Sequence, residues 1–186
     1  MRLRPVPPRL GEMEPSARKI VAVQIDRDPR GDVEVAVRCE YGLPMVIRTR
    51  PRLETGEPFP TLYWLTCPLA ARKVGGLESS GAMRESNRRL AGDPVLAETY
   101  TAAHERYRRD RDGDDRGAAE SAGGMPGRVK CLHALYAHEL ADANPIGAVV
   151  RETIEPLRCP GPCVAADDGG TERRVAGHPA FARRRR

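Results

Sequence analysis

At 186 residues, with 40% hydrophobic, 31% charged and 4% aromatic side chains, the chain has material for one core domain with tails. It has no apolar run of the roughly 18 residues that a membrane-spanning helix needs, and its basic start, MRLRPVPPRLGEMEP, lacks the apolar stretch of a secretory signal. The net charge of +5 gathers at the ends, in Arg2, Arg4, Arg9 and Arg183 to Arg186, which argues against a nucleic-acid groove on the body and leaves polyanion attraction to the basic tails.

In chain order, residues 1–14 are rich in proline and read as a disordered tail. The stretch ARKIVAVQID suits a helix capped by Ser16 or a buried strand, because its apolar run is continuous. Val33, Val35 and Val37 alternate with Asp32, Glu34, Ala36 and Arg38, the period of a half-buried strand. Gly42 and Pro44 break it, and Met45 to Ile47 resume, so a hairpin is expected. PFPTLYWLTC reads as a third strand.

After Pro68 the period becomes helical, with Leu69, Val74, Leu77 and Met83 on one face and Gly75-Gly76 as a weak point. Asp93-Pro94 starts a second helix with Leu96, Tyr100 and Ala103 on one side. The run RDGDDRGAAESAGGMPG is a loop. A helix over RVKCLHALYAHELADA ends before Asn144-Pro145, and a short helix covers 146–154. Pro, Gly, Asp and Arg then dominate. The expected fold is α+β: a small antiparallel sheet of about three strands against three to four helices. It forms a single domain over 15–156, followed by a disordered basic tail at 157–186.

Five cysteines, an odd number without an export signal, point to a reducing cytoplasm rather than a disulfide framework. Cys131 draws attention first. Gly124 and Gly127 lead into a helix whose first turn carries Arg128 and Lys130, a place suited to a phosphate-bearing anion and to lowering a thiol pKa. On that helix Cys131 and His138 share a face, two turns apart, whereas His133 points almost the opposite way. Cys39 and Cys67, both at strand ends, complete a candidate metal set of Cys39, Cys67, Cys131, His133 and His138 for zinc or an iron–sulfur cluster. Cys159 and Cys163, spaced C-x₃-C without a second pair, read as incidental tail residues.

Other chemistry fails on spacing. No G-x-x-x-x-G-K-[ST] or G-x-S-x-G is present. Asp110, Asp112 and Asp114 begin like a calcium loop, but Asp115 and Ser121 stand where Gly and Glu are required. Arg72 follows Cys67 at a spacing unlike that of tyrosine phosphatases.

Three blocks, RCEYGLPMVIRTRP at 38–51, PFPTLYWLTCPL at 58–69 and GGMPGRVKCLHALYAHELADANPIG at 123–147, resemble the mainly actinobacterial family called domain of unknown function 501. The resemblance implies no activity or cofactor. Its gene neighbourhood implies an expected link to septum formation or phosphate metabolism.

Two main expectations and a third follow. One is a thiol/imidazole site around Cys131, either ligating a metal or presenting an activated thiolate. The other is a non-catalytic interaction module for cell division or nucleic acid. It would use the aromatic strand 59–64 and the basic tails, with the cysteines as core filler. An enzyme acting on a phosphorylated small molecule through Arg128 and Lys130 is a third.

Overall fold

A computed structural model describes residues 13–51, 59, 61–112 and 122–182. The first helix, α1 (Pro15–Ile25), settles the ambiguity of the apolar run. Ala17, Val21 and Gln24 fall on one helical face and are buried, with Val21 packed on Val33 and Ile47 of the sheet. Proline at the first turn starts α1, and Asp26 in the left-handed region (φ 63°) ends it.

Strands β1 (Val33–Arg38), β2 (Pro44–Thr49) and β3 (Tyr63–Leu65) form an antiparallel sheet in that order. The hairpin pairs Val33 with Thr49 and Val35 with Ile47, and β2 pairs Val46 with Leu65 and Arg48 with Tyr63. The third strand is shorter than the sequence suggests because it ends at Leu65, just ahead of α2 (Pro68–Ser79). The helical period from Leu69 to Met83 is real but broken. The break lies at Ser80-Gly81, where Gly81 adopts φ 92°, and Gly75-Gly76 stays inside α2.

Helix α3 (Ala82–Gly92) has no fully buried residue, packs Ala82, Met83 and Leu90 partly buried against the core, and leads into α4 (Pro94–Asp112). The Asp93 carboxylate accepts the N–H groups of Val95 and Leu96 at 3.1 and 3.0 Å, a cap worth about 1 kcal/mol. Tyr100, Ala103 and Tyr107 form the buried stripe of α4.

At the centre lie α5 (Leu132–Ala141) and α6 (Pro145–Ile154). Leu132, Leu135, Tyr136, Ala137 and His138 are all buried, so α5 is enclosed by the sheet, α2 and α6. Asn144 caps α6 through Ile146 and Gly147 N–H. A Cβ on Gly147 would stand 2.2 Å from the Leu135 carbonyl oxygen, so only glycine permits this crossing.

The fold is α+β, as the sequence implies, with six helices around a three-stranded antiparallel sheet and a separate two-stranded sheet among the described residues. The expected tail beyond residue 157 needs correction. Residues 164–166 (β4) and 172–174 (β5) form a hairpin. A 3₁₀ turn follows at Pro179–Phe181. Cys163, Val164 and Ala180 join the main core. Arg174 bonds Asp26 at 2.9 Å and lies over Phe181, and Arg72 donates to the Ala182 carbonyl. The polar composition misled because a few buried residues and backbone contacts suffice to lay this stretch on α1 and α2. Residues 1–12 and 183–186, the remainder of the expected tails, lie outside the described residues.

Candidate functional site at the entrance to α5

The helix carrying Cys131 starts later than the sequence pattern suggests. Residues 128–131 precede it, and Cys131 is the N-cap residue, extended at φ −150° and ψ 112°. That four-residue difference changes the site. With Cys131 outside the helix, its side chain meets His133 rather than His138.

Helix α2 supplies the rest. Ala71 and Glu78 lie seven residues apart, two turns along one face. His133 bridges them: Nε2 is 3.0 Å from the Ala71 carbonyl oxygen and Nδ1 is 3.2 Å from Glu78 Oε1. A carbonyl only accepts, so Nε2 carries a proton and donates it there. Nδ1 is then the nitrogen whose proton is exchangeable. Glu78 Oε1 also accepts the Leu132 N–H at 2.7 Å, capping α5 from a different helix. Ligand atoms of Glu78, Cys131 and His133 all lie within 4.8 Å of one another, and all three residues are half-buried.

The electrostatics follow from that geometry. The hydrogen bond with the Cys131 side chain, helped by the Glu78 carboxylate and the Ala71 carbonyl, outweighs partial burial and pushes His133 up to about 9. At neutral pH the ring is an imidazolium between a carboxylate and a sulfur.

The expected anion cradle loses its donors. Arg128 N–H bonds the Gly124 carbonyl, Lys130 and Cys131 N–H bond the Gly123 carbonyl, and Val129 N–H bonds Asn87 Oδ1. Leu132 N–H is taken by Glu78, so a carboxylate already sits where an anion would dock. Gly124 and Gly127 lie in a loop closed upon itself, and the side chains of Arg128 and Lys130 point to solvent. Gly124 has a separate reason to be glycine: φ 94°, with the Lys130 backbone nitrogen 3.0 Å from where its Cβ would be.

His138 belongs to the core. It is wholly buried, stacks on Tyr63 with ring centroids 5.8 Å apart, and meets Tyr107 edge-on at 5.0 Å. Asn144 Nδ2 donates to its Nδ1 at 3.1 Å. Burial pushes it down to about 4, against the pull of Asp142. Cys39 and Cys67 also stay away from Cys131. Cys39 follows β1, and Cys67 is the N-cap residue of α2, packed in the core; neither sulfur joins the group formed by Cys131. The aromatic strand is largely spent on packing: Tyr63 is buried, and Trp64 lies between Phe59, stacked at 5.8 Å, and the Arg27 guanidinium at 4.9 Å.

Glu78 was the residue that sequence reasoning missed. It sits 53 positions before Cys131 on another helix. No spacing rule joins the two; only the packing of α2 on α5 does.

The family described as "protein of unknown function (DUF501)" matches residues 35–152, well over half of the chain. The chain belongs to this family. The match runs from β1 into α6 and contains Glu78, Cys131 and His133, whereas α1 and the β4–β5 segment fall outside it. No curated protein and no solved structure is significantly similar to the chain. No helix among the described residues is long and apolar enough to cross a membrane.

Proposed function

We propose that this DUF501 protein is a metal-binding protein whose centre is Glu78, Cys131 and His133, with zinc as its ion. The observation that carries this reading is the convergence of one carboxylate, one thiol and one imidazole within 4.8 Å, with the second imidazole nitrogen tied to a backbone carbonyl. Metal-ligating histidines commonly donate their other N–H in this way, which fixes the ring and the tautomer. Zinc accepts mixed S, N and O ligands, and three protein ligands leave a fourth position for water or a substrate. With one sulfur, the set lacks the thiolates that an iron–sulfur cluster requires.

Zinc ligation needs neutral Nδ1 and a thiolate, so binding expels the His133 proton and is favoured by rising pH. Removing bound metal with a chelator and titrating zinc back tests the reading by metal analysis. Cys131→Ser and His133→Ala each abolish the uptake assigned to this site. Uptake unchanged in both variants would sink the proposal.

A second reading rests on the charged state of His133. Without metal, the position of Cys131 beside the His133 ring suits a cysteine nucleophile. It predicts that iodoacetamide modifies Cys131 faster in the wild type than in His133→Ala, and that zinc suppresses the reaction only if both readings share the site. Equal rates in the two proteins would remove it.

A further inference from the structure

The segment after α6 raises a question of what holds it. Between residues 157 and 182 only Cys163, Val164, His178 and Ala180 are buried. That apolar area is small against the entropy of ordering some two dozen residues, and short stretches of this kind are usually stapled. Two of the four buried residues are a thiol and an imidazole.

The thiols of this segment meet those of the sheet and α2. Cys159 and Cys163 flank the Pro-Gly-Pro turn. Cys39 and Cys159 lie half-buried against the main core, which contains Cys67 and Cys163. Cys159 is an electrostatic neighbour of Cys39, Cys67 and Cys163. Tyr41, two residues after Cys39, donates its hydroxyl to the Cys159 carbonyl at 2.9 Å. Four of the five cysteines, from three separate parts of the chain, therefore share one corner.

N–H groups are aimed at two of these sulfurs. His178 Nδ1 accepts the Ala180 N–H at 3.1 Å, so the ring proton is on Nε2. Nε2 lies 3.1 Å from the Gly161 carbonyl and 3.6 Å from Cys159 Sγ. Gln24 on α1 directs its amide Nε2 to Cys163 Sγ at 3.9 Å, while its buried Oε1 has no partner. Donors of this kind steady sulfur in its anionic form.

We propose that Cys39, Cys67, Cys159 and Cys163 form a sulfur-rich binding site for a thiophilic divalent cation, zinc above all, which staples the C-terminal segment to the β1–β2 hairpin and α2. His178 and Gln24 act outside the ligand shell as N–H donors. Each ligating thiol gives its proton to solvent and its sulfur lone pair to the ion, and no electron is transferred. Among the described residues, three ligand atoms already lie within 4.8 Å only at Glu78, Cys131 and His133. Binding at this corner therefore draws the sulfurs together and is linked to ordering of the segment.

The test uses the full-length, reduced, chelator-treated protein and zinc itself. Iodoacetamide labelling is mapped by mass spectrometry with and without zinc, in the wild type and in Cys131→Ser. Cys39 and Cys159, both half-buried, are the reporters. Zinc is expected to slow their labelling together by about tenfold or more, and to do so equally in Cys131→Ser. Cobalt substituted for zinc in Cys131→Ser is expected to give intense sulfur-to-cobalt charge transfer, which is lost when Cys159→Ser and Cys163→Ser are added to that variant. Unchanged labelling of Cys39 and Cys159 overturns the proposal, as does zinc protection confined to Cys131. Because the reporters are read in Cys131→Ser, failure here is separable from failure of the Glu78, Cys131 and His133 site.

Discussion

Helix α5 carries two histidines five residues apart in opposite electrostatic states. His133, at the first turn, stands between Glu78, Cys131 and the Ala71 carbonyl and is held as an imidazolium. His138, a turn and a half further in, is sealed between Tyr63 and Tyr107 and is held neutral. Both have an acidic neighbour, since Asp142 Oδ2 lies 3.5 Å from His138 Nε2. The difference is solvent and number of partners. At His138 the cost of desolvating a charge outweighs one carboxylate that is itself shared with Arg106. At His133 three polar partners outweigh partial burial. The lesson is that a histidine on a helix face is assigned by what the neighbouring elements place against it, and the helix's own periodicity does not supply that.

The largest expected effect would break this contrast outright. His138→Ala removes a fully buried aromatic ring and should cost on the order of 3 kcal/mol, read as a lower midpoint in urea unfolding. His133→Ala should cost less than about 1 kcal/mol, because the ring is half-exposed, yet it should abolish the rise in melting temperature that zinc produces in the wild type. Equal destabilisation by the two substitutions would mean that both rings serve the core. Asn144→Ala comes next. Its amide caps α6 and supplies the His138 Nδ1 hydrogen bond, so about 2 kcal/mol should be lost.

Titration sharpens the same contrast. A raised histidine stabilises the fold fully below its unfolded pKa, near 6.5, and that contribution disappears as pH climbs through about 9, the His133 window. A depressed histidine works in reverse: His138 weakens the fold as pH falls from about 6.5 toward about 4, where the buried ring must charge. Histidine proton resonances followed against pH should show the two rings titrating at opposite ends of the range. Two midpoints near 6.5 would contradict the geometry on which both assignments rest.

Much of this was legible in the chain. Alternating valines give β1, Gly42-Pro44 gives the hairpin, Asp93-Pro94 gives the start of α4, and Asn144-Pro145 gives the start of α6, because each is a local signal with a local cause. Cys131 was legible as the thiol at a helix entrance. What was illegible depended on elements meeting. The start of α5 moved from 128 to 132 because Gly123 and Gly124 carbonyls capture the N–H groups of Arg128, Lys130 and Cys131, and Asn87 captures that of Val129. That displacement swapped His138 for His133 as the partner of Cys131. Glu78 left no trace beside the motif, since an exposed-looking glutamate on an amphipathic helix resembles many others. Cys159 and Cys163 looked incidental because their neighbours Cys39 and Gln24 lie more than 100 residues earlier.

The smallest expected effect concerns Glu78, and it separates the two roles of that carboxylate. Glu78→Gln keeps an oxygen that can accept the Leu132 N–H, so α5 should start at the same residue and stability should change by only a few tenths of a kcal/mol. It removes the negative charge facing His133 Nδ1. The pKa of His133 should therefore fall, while staying above its ordinary value because the Cys131 and Ala71 contacts persist. Losing the carboxylate weakens zinc uptake, and a more easily deprotonated ring partly offsets the loss. The net reduction should thus be smaller than for Cys131→Ser, on the order of tenfold near neutral pH, and should narrow as pH falls. If Glu78→Gln instead abolished uptake as fully as Cys131→Ser, the carboxylate would be an indispensable ligand. If uptake did not change at all, Glu78 would be a helix cap alone, and the centre would reduce to the thiol and the imidazole.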